Sequence, residues 1–162
     1  MTLKKQTPLT SYEAVKEKAL RLLEFRSHSE EELRQKLKRQ GASDEHIEDA
    51  IDFCRHYGFV NDERYAAAKA KDLMKLKKYG PRRIRADLKA KGISPELIET
   101  AMAELDEQES GTELRKLVEK KLAGDFSPKS LNRCLRYFLY RGYELRDIRG
   151  CIDETVAMNL SD

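Results

Sequence analysis

Cys54 and His56 stand two residues apart, a thiol and an imidazole that together would suit covalent acyl chemistry. Their spacing argues against it, because residues two apart on a helix point to different sides. His28, His46 and His56 show no His-Glu-x-x-His or comparable ligand spacing, and Cys54, Cys134 and Cys151 form no Cys-x-x-Cys pair. Neither a zinc site nor a disulfide framework is therefore indicated. His28 reads as the flank of a helix cap, and the cysteines as small, reduced, buried residues. The carboxylates at Glu30 to Glu32 and at Asp44, Glu45, Glu48 and Asp49 resemble acid/base material, but they fall in the first turns of helices, where they complement the macrodipole. There is no Gly-Lys-Ser or Gly-Lys-Thr phosphate loop and no dinucleotide glycine fingerprint. The expectation is a protein that binds rather than catalyses and needs no cofactor or metal.

Charge is the remaining chemical signal. The formal net charge is only +3, yet Lys75 to Lys91 holds eight basic residues against Asp87 alone, a local net of +7 that leaves −4 for the rest. A second zone, Lys129 to Arg149, holds six Lys or Arg against Glu144 and Asp147, with Tyr137, Tyr140 and Tyr143 interleaved. Such surfaces suit a polyanion or an acidic protein face. The lysines at 75, 77 and 78 end a helix and favour its negative pole whatever they bind. Arg82, Arg83 and Arg85 begin the next helix, where basic charge is locally unfavourable, and a partner would supply the reason. The candidate binding residues are Lys78, Arg82, Arg83, Arg85 and Lys89, followed by Arg133, Arg136, Tyr140 and Arg141.

The elements that must position these residues are legible from a repeat. Gly41, Gly92 and Gly142 each follow a Leu, Ile or Cys by eight residues and a Leu or Phe by four, and precede an Ile by six. Leu33, Leu37, Gly41, Ile47 and Ile51 thus match Ile84, Leu88, Gly92, Ile98 and Met102, and then Cys134, Phe138, Gly142, Ile148 and Ile152. A period of about 50 residues with matched apolar positions marks repeated helical units. Each glycine suits the left-handed residue that closes a helix, with apolar contacts predicted between Ala42 and Leu37, Ile93 and Leu88, and Tyr143 and Phe138. Helix starts show as Ser29 with Glu32, Ser94-Pro95, Ser127-Pro128, Thr10 with Glu13, and Asn61 flanked by Val60 and Tyr65.

The spacing predicts an all-α fold of nine helices, near 11–26, 29–40, 44–56, 61–78, 81–91, 95–106, 112–122, 127–140 and 145–157. These group as a loose tail at 1–10 and three three-helix modules at 11–57, 58–108 and 109–162. The acidic stretch Glu104 to Glu113, with Ser110-Gly111, reads as a joint between the second and third modules. No apolar run approaches the roughly 18 residues that span a bilayer, and Met1 to Thr10 has no signal-peptide core, so a cytoplasmic protein is expected.

The run Tyr79-Gly80-Pro81-Arg82-Arg83-Ile84, continuing through Leu88 and Lys91-Gly92-Ile93, closely resembles the signature of the RecX family of RecA regulators. Leu22, Arg26, His28-Ser29, Glu32-Leu33 and Lys36-Leu37 resemble its first-module motif. Gly58-Phe59-Val60-Asn61-Asp62 with Tyr65-Ala66 resembles its entry to the fourth helix, and Phe138-Leu139 with Arg141-Gly142-Tyr143 its third module. The resemblance runs from Tyr12 to Ile152. It implies an elongated, curved row of modules, a monomer, that binds the RecA filament on single-stranded DNA. It implies limits on filament extension, ATPase, strand exchange and coprotease activity, in the setting of DNA repair and the SOS response, with weak non-specific DNA binding at most. The competing expectation is a sequence-specific DNA-binding protein, since three-helix units joined by short glycine turns also resemble helix-turn-helix domains.

Overall fold

The computed structural model describes residues 8–105 and 107–162, so the expected tail at 1–10 lies mostly outside the described residues. Among the described residues the chain forms nine α-helices and no strand: α1 (Tyr12–Phe25), α2 (Glu30–Arg39), α3 (Asp44–His56), α4 (Asp62–Lys75), α5 (Pro81–Ala90), α6 (Pro95–Ala103), α7 (Glu107–Leu122), α8 (Pro128–Tyr140) and α9 (Leu145–Leu160). None is long and apolar enough to cross a membrane.

Local chemistry sets most of these boundaries. Ser29 and Glu32 form a reciprocal capping box at α2, and Ser127 accepts from the Ser130 N–H ahead of Pro128 at α8. Asn61 Oδ1 accepts from the Arg64 N–H at 3.0 Å, and Ser94 Oγ from the Leu97 N–H at 3.4 Å. Each such cap contributes about 1 kcal/mol. At α1 the cap is Ser11, which accepts from the Ala14 N–H, rather than the expected Thr10. Both residues carry a hydroxyl; Leu9 and Tyr12, packed on the core to either side, set the register. Helix α4 stops at Lys75, three residues before the expected end, and Lys78 takes the left-handed conformation at φ +58°. Helix α7 begins at Glu107 rather than at 112, so Ser110-Gly111, the expected joint, lies inside a helix. Glu107 and Glu109 favour the positive pole there and offset part of the roughly 1 kcal/mol that an interior glycine costs.

The described chain divides into two compact units, one running up to Ala66 and including Lys89–Leu97, the other made of Ala67–Leu88 and Ile98–Asp162. In the first unit, α1 packs on α3 and both pack on α2 around Val15, Ala19, Leu33, Leu37, Ile47, Ile51 and Cys54. In the second, α7, α8 and α9 enclose Leu114, Val118, Leu122, Cys134, Phe138, Ile148 and Ile152. Cys134, which stands eight residues before Gly142 as Leu33 does before Gly41, is buried as Leu33 is.

All three turn glycines adopt the left-handed conformation that their spacing predicts. Gly41, Gly92 and Gly142 have φ of +85°, +76° and +95°. The Ala42 N–H donates to the Leu37 carbonyl and the Tyr143 N–H to the Phe138 carbonyl, which closes α2 and α8 with the same pair of residues that the apolar contact involves. The rings of Phe138 and Tyr143 meet edge to face at 5.9 Å. A further regularity involves the residue before each glycine. The Gln40 carbonyl accepts from the Leu9 N–H, the Lys91 carbonyl from the Ser29 hydroxyl, and the Arg141 carbonyl from the Gly80 N–H. At all three turns the carbonyl is held by a donor from another segment.

Candidate functional site

The basic run and the third-module motif meet at the start of α5. The Gly80 N–H donates to the Arg141 carbonyl at 2.9 Å, and the Arg82 N–H to the Gly142 carbonyl at 3.0 Å. The exposed amides that begin a helix are therefore satisfied by the turn after α8. The approach is backbone on backbone. A Cβ on Gly80 would lie 2.5 Å from the Gly142 carbonyl carbon, and one on Gly142 would lie 2.4 Å from the Arg83 nitrogen. The negative pole of α8 thus faces the positive pole of α5, which revises the expectation that arginines in this first turn call for an external partner. The fold itself relieves part of that cost.

Around this junction the side chains form a cationic and aromatic face. The Arg83 guanidinium lies 4.7 Å from the Tyr79 ring centroid and 5.9 Å from that of Tyr140. Arg141 lies 5.1 Å from Tyr79 and 5.6 Å from Tyr137, and the Lys121 ammonium sits 4.1 Å over Tyr137. Contacts of this kind contribute about 0.5–1 kcal/mol each at exposed positions and keep the guanidiniums close to the rings. Tyr140 is 80% exposed. Arg141 also donates to the Lys77 carbonyl, and the Tyr143 hydroxyl donates to the Lys78 carbonyl at 3.0 Å. Burial pushes the Tyr143 hydroxyl up to about 12, so it remains a proton donor throughout the neutral range. These two bonds fix the segment that carries Lys78 in its left-handed conformation.

The structure thus brings Lys78, Arg83, Tyr140 and Arg141 together and separates others. Arg85 is paired with Glu99 at 3.0 Å and is charge-compensated. Lys78 is paired with Glu113 at 2.6 Å, and Arg83 with Asp87 at 3.3 Å. Arg82 and Lys89 are exposed on α5; Arg133 and Arg136 are exposed on the stretch of α8 that leads to Tyr140, with 133, 136 and 140 on one helical face. Sequence reasoning left Tyr79, Tyr137 and Lys121 out of the site. Tyr137 is one helical turn before Arg141 and was detectable from that spacing, whereas Lys121 reaches the face only through the packing of α7 on α8.

The other chemical candidates resolve as structural. His28 is buried, its Nδ1 2.9 Å from the Arg26 carbonyl and its Nε2 2.8 Å from the Lys36 ammonium. Lys36 can only donate, so the ring is neutral with its proton on Nδ1. Burial first, then the neighbouring cations, lower its pKa, against the opposing effects of the Arg26 carbonyl and Glu32. Glu32 is disfavoured as an anion by burial, but bonds from Arg26, Tyr65 and the Ser29 N–H prevail and hold it down to about 2. The Cys54 thiol is buried and pushed up by desolvation, while His56 is exposed. Among the described residues, no group of three His, Cys, Asp or Glu is arranged to hold a metal ion.

Comparison with known proteins adds an independent line. A family model described as RecX, first three-helix domain, matches residues 16–54, and one described as RecX, second three-helix domain, matches residues 61–102. The chain is 38% identical over 148 residues to the regulatory protein RecX of Vibrio parahaemolyticus, covering 90% of this chain and 92% of that one. It is 32% identical over 152 residues to the RecX of Clostridium botulinum, covering 91% and 71%. The crystal structure of RecX from Lactobacillus salivarius superposes with a TM-score of 0.81 at 21% identity, covering 90% of this chain and 97% of that one, and so shares its fold.

Proposed function

The chain belongs to the RecX family, and from that membership we propose that it regulates a RecA recombinase by binding it. In its finer form the reading is that the protein binds the RecA filament on single-stranded DNA and limits filament extension, and with it ATPase, strand exchange and coprotease activity. The observation that carries this is the face built by Tyr79, Arg83, Tyr140 and Arg141, flanked by exposed Arg82, Arg133 and Arg136. Three properties of that face support it. It is cationic, it presents an exposed ring on which an aromatic or guanidinium group can stack, and it is braced by backbone bonds, so little ordering is required on binding.

A monomeric chain in the cytoplasm, beside its partner, belongs to the same reading. So does the third module: family models match the first two three-helix domains, and α7 to α9 repeat the same glycine-centred spacing.

The test is an Arg82→Ala, Arg83→Ala, Tyr140→Ala variant assayed for inhibition of RecA ATPase and filament extension on single-stranded DNA. These side chains are exposed or half-buried, so helical content should be retained. The concentration needed for half-inhibition should rise about tenfold or more, as when central contacts of an interface are truncated. An Arg85→Ala change, at a residue already paired with Glu99, should have little effect. Full potency of the triple variant would overturn the assignment.

A further inference from the structure

Beside the face just described, the second unit contains a cavity of about 350 Å³ between α7, α8 and the segment before α5. Its floor is apolar, formed by Leu117 and the buried Phe138. Its walls carry four cations, Lys78, Lys120, Lys121 and Arg141, and no carboxylate lines it. Lys78 has a partner in Glu113. Among the described residues no carboxylate lies within ion-pair distance of the other three. The negative pole of α7 accounts for lysines in its last turn. It does not account for Arg141 and Lys78, from two other segments, lining the same cavity. Cations from three segments thus converge on one concave surface, where a single anion can accept from several of them at once.

We propose that this cavity binds a phosphate group, either free on a nucleotide or pyrophosphate or carried in the backbone of single-stranded DNA. A phosphate offers several oxygens at once to ammonium and guanidinium donors, and the guanidinium can take two of them. The volume lies within the roughly 300–1,000 Å³ typical of small-ligand sites. Leu117, Phe138 and the Tyr137 ring give the carbon skeleton attached to the phosphate an apolar surface. Lys120 and Lys121, which the triple variant of the partner-binding test leaves in place, are the residues that define the site. Arg141 also braces the Lys77 carbonyl, so it is unsuited to a clean test.

The experiment uses the full chain without recombinase, so its outcome is independent of the regulator reading. Pyrophosphate, ATP and an oligothymidylate are each titrated calorimetrically into the parent chain, a Lys120→Gln/Lys121→Gln variant, and a Lys129→Gln control, with circular dichroism to confirm the fold. Expected is saturable one-to-one binding that weakens about tenfold or more in the double variant and is unchanged in the control. Pyrophosphate or ATP binding that behaves this way identifies a free phosphate as the ligand, and oligothymidylate binding alone identifies the DNA backbone. Absence of saturable binding to all three probes, or equal affinity in the double variant and the parent, overturns the proposal.

Discussion

Gly142→Ala should cost this protein far more stability than Gly41→Ala, although both glycines close equivalent turns and both have positive φ. The conformational part is shared: an L-residue in this region costs about 1–2 kcal/mol. The surroundings differ. At Gly41 the nearest atom to an added Cβ is Pro8 Cβ at 3.8 Å, an ordinary contact. At Gly142 it is the Arg83 backbone nitrogen at 2.4 Å, which no rotation of a side chain can relieve. The turn must move away from α5, and the bonds from the Gly80 and Arg82 amides to the Arg141 and Gly142 carbonyls lengthen or break. Each is a neutral backbone bond with a net contribution of about 1 kcal/mol, so Gly142→Ala should cost about 3–4 kcal/mol in total against about 1–2 for Gly41→Ala. Urea denaturation followed by circular dichroism measures both. Equal costs for the two variants, within about 0.5 kcal/mol, would refute the claim that this backbone approach, rather than φ alone, demands glycine.

Three further outcomes are expected. Glu32 is depressed in the folded state from 4.5 to about 2, so its contribution is full above pH 4.5 and is lost as pH falls toward 2. With its side chain 11% exposed, the contribution is about 3 kcal/mol, and Glu32→Gln should flatten the acid limb of the stability profile measured between those values. Lys78→Gly should relieve about 1 kcal/mol of left-handed strain, so that, with the half-buried, partly solvated Glu113 pair adding little, the melting temperature rises or holds rather than falls. Cys151, which is partly exposed, should react with a maleimide in the native protein well before the buried Cys54 and Cys134, as peptide mapping of the labelled sites would show.

The helices and their stacking faces were legible because their determinants are local. Apolar residues four apart, a glycine eight residues on, and a Ser or Asn cap fix each helix from within its own stretch of chain. The junction at α5 was not legible in the same way. Nothing near Gly80 indicates that its amide meets the Arg141 carbonyl, and nothing near Arg141 shows that its guanidinium lies on Tyr79. These contacts join residues more than sixty positions apart, and only folding reveals them. The α4 boundary was misplaced because Lys78 adopts a conformation that glycine usually signals. The α7 boundary was misplaced because Ser110-Gly111, a turn by propensity, is carried along by a helix with acidic residues before it and the buried Leu114 and Val118 after it. The positive charge of the site was readable in outline, but not its surroundings: Arg85 and Arg83 look alike in sequence and each meets a carboxylate, Glu99 and Asp87, yet only Arg83 also lies beside two tyrosine rings.

The carbonyl that precedes each turn glycine acts as a socket of fixed shape, because it belongs to the backbone, and three different plugs fill it: the amide of Leu9, the hydroxyl of Ser29 and the amide of Gly80. Such a connection constrains few positions of its neighbour: a donor at the socket and, where the backbones close up as at Gly80 and Gly142, the absence of a Cβ. The surfaces between junctions stay free to diverge, and that latitude is where one module can acquire arginines and tyrosines while another stays acidic.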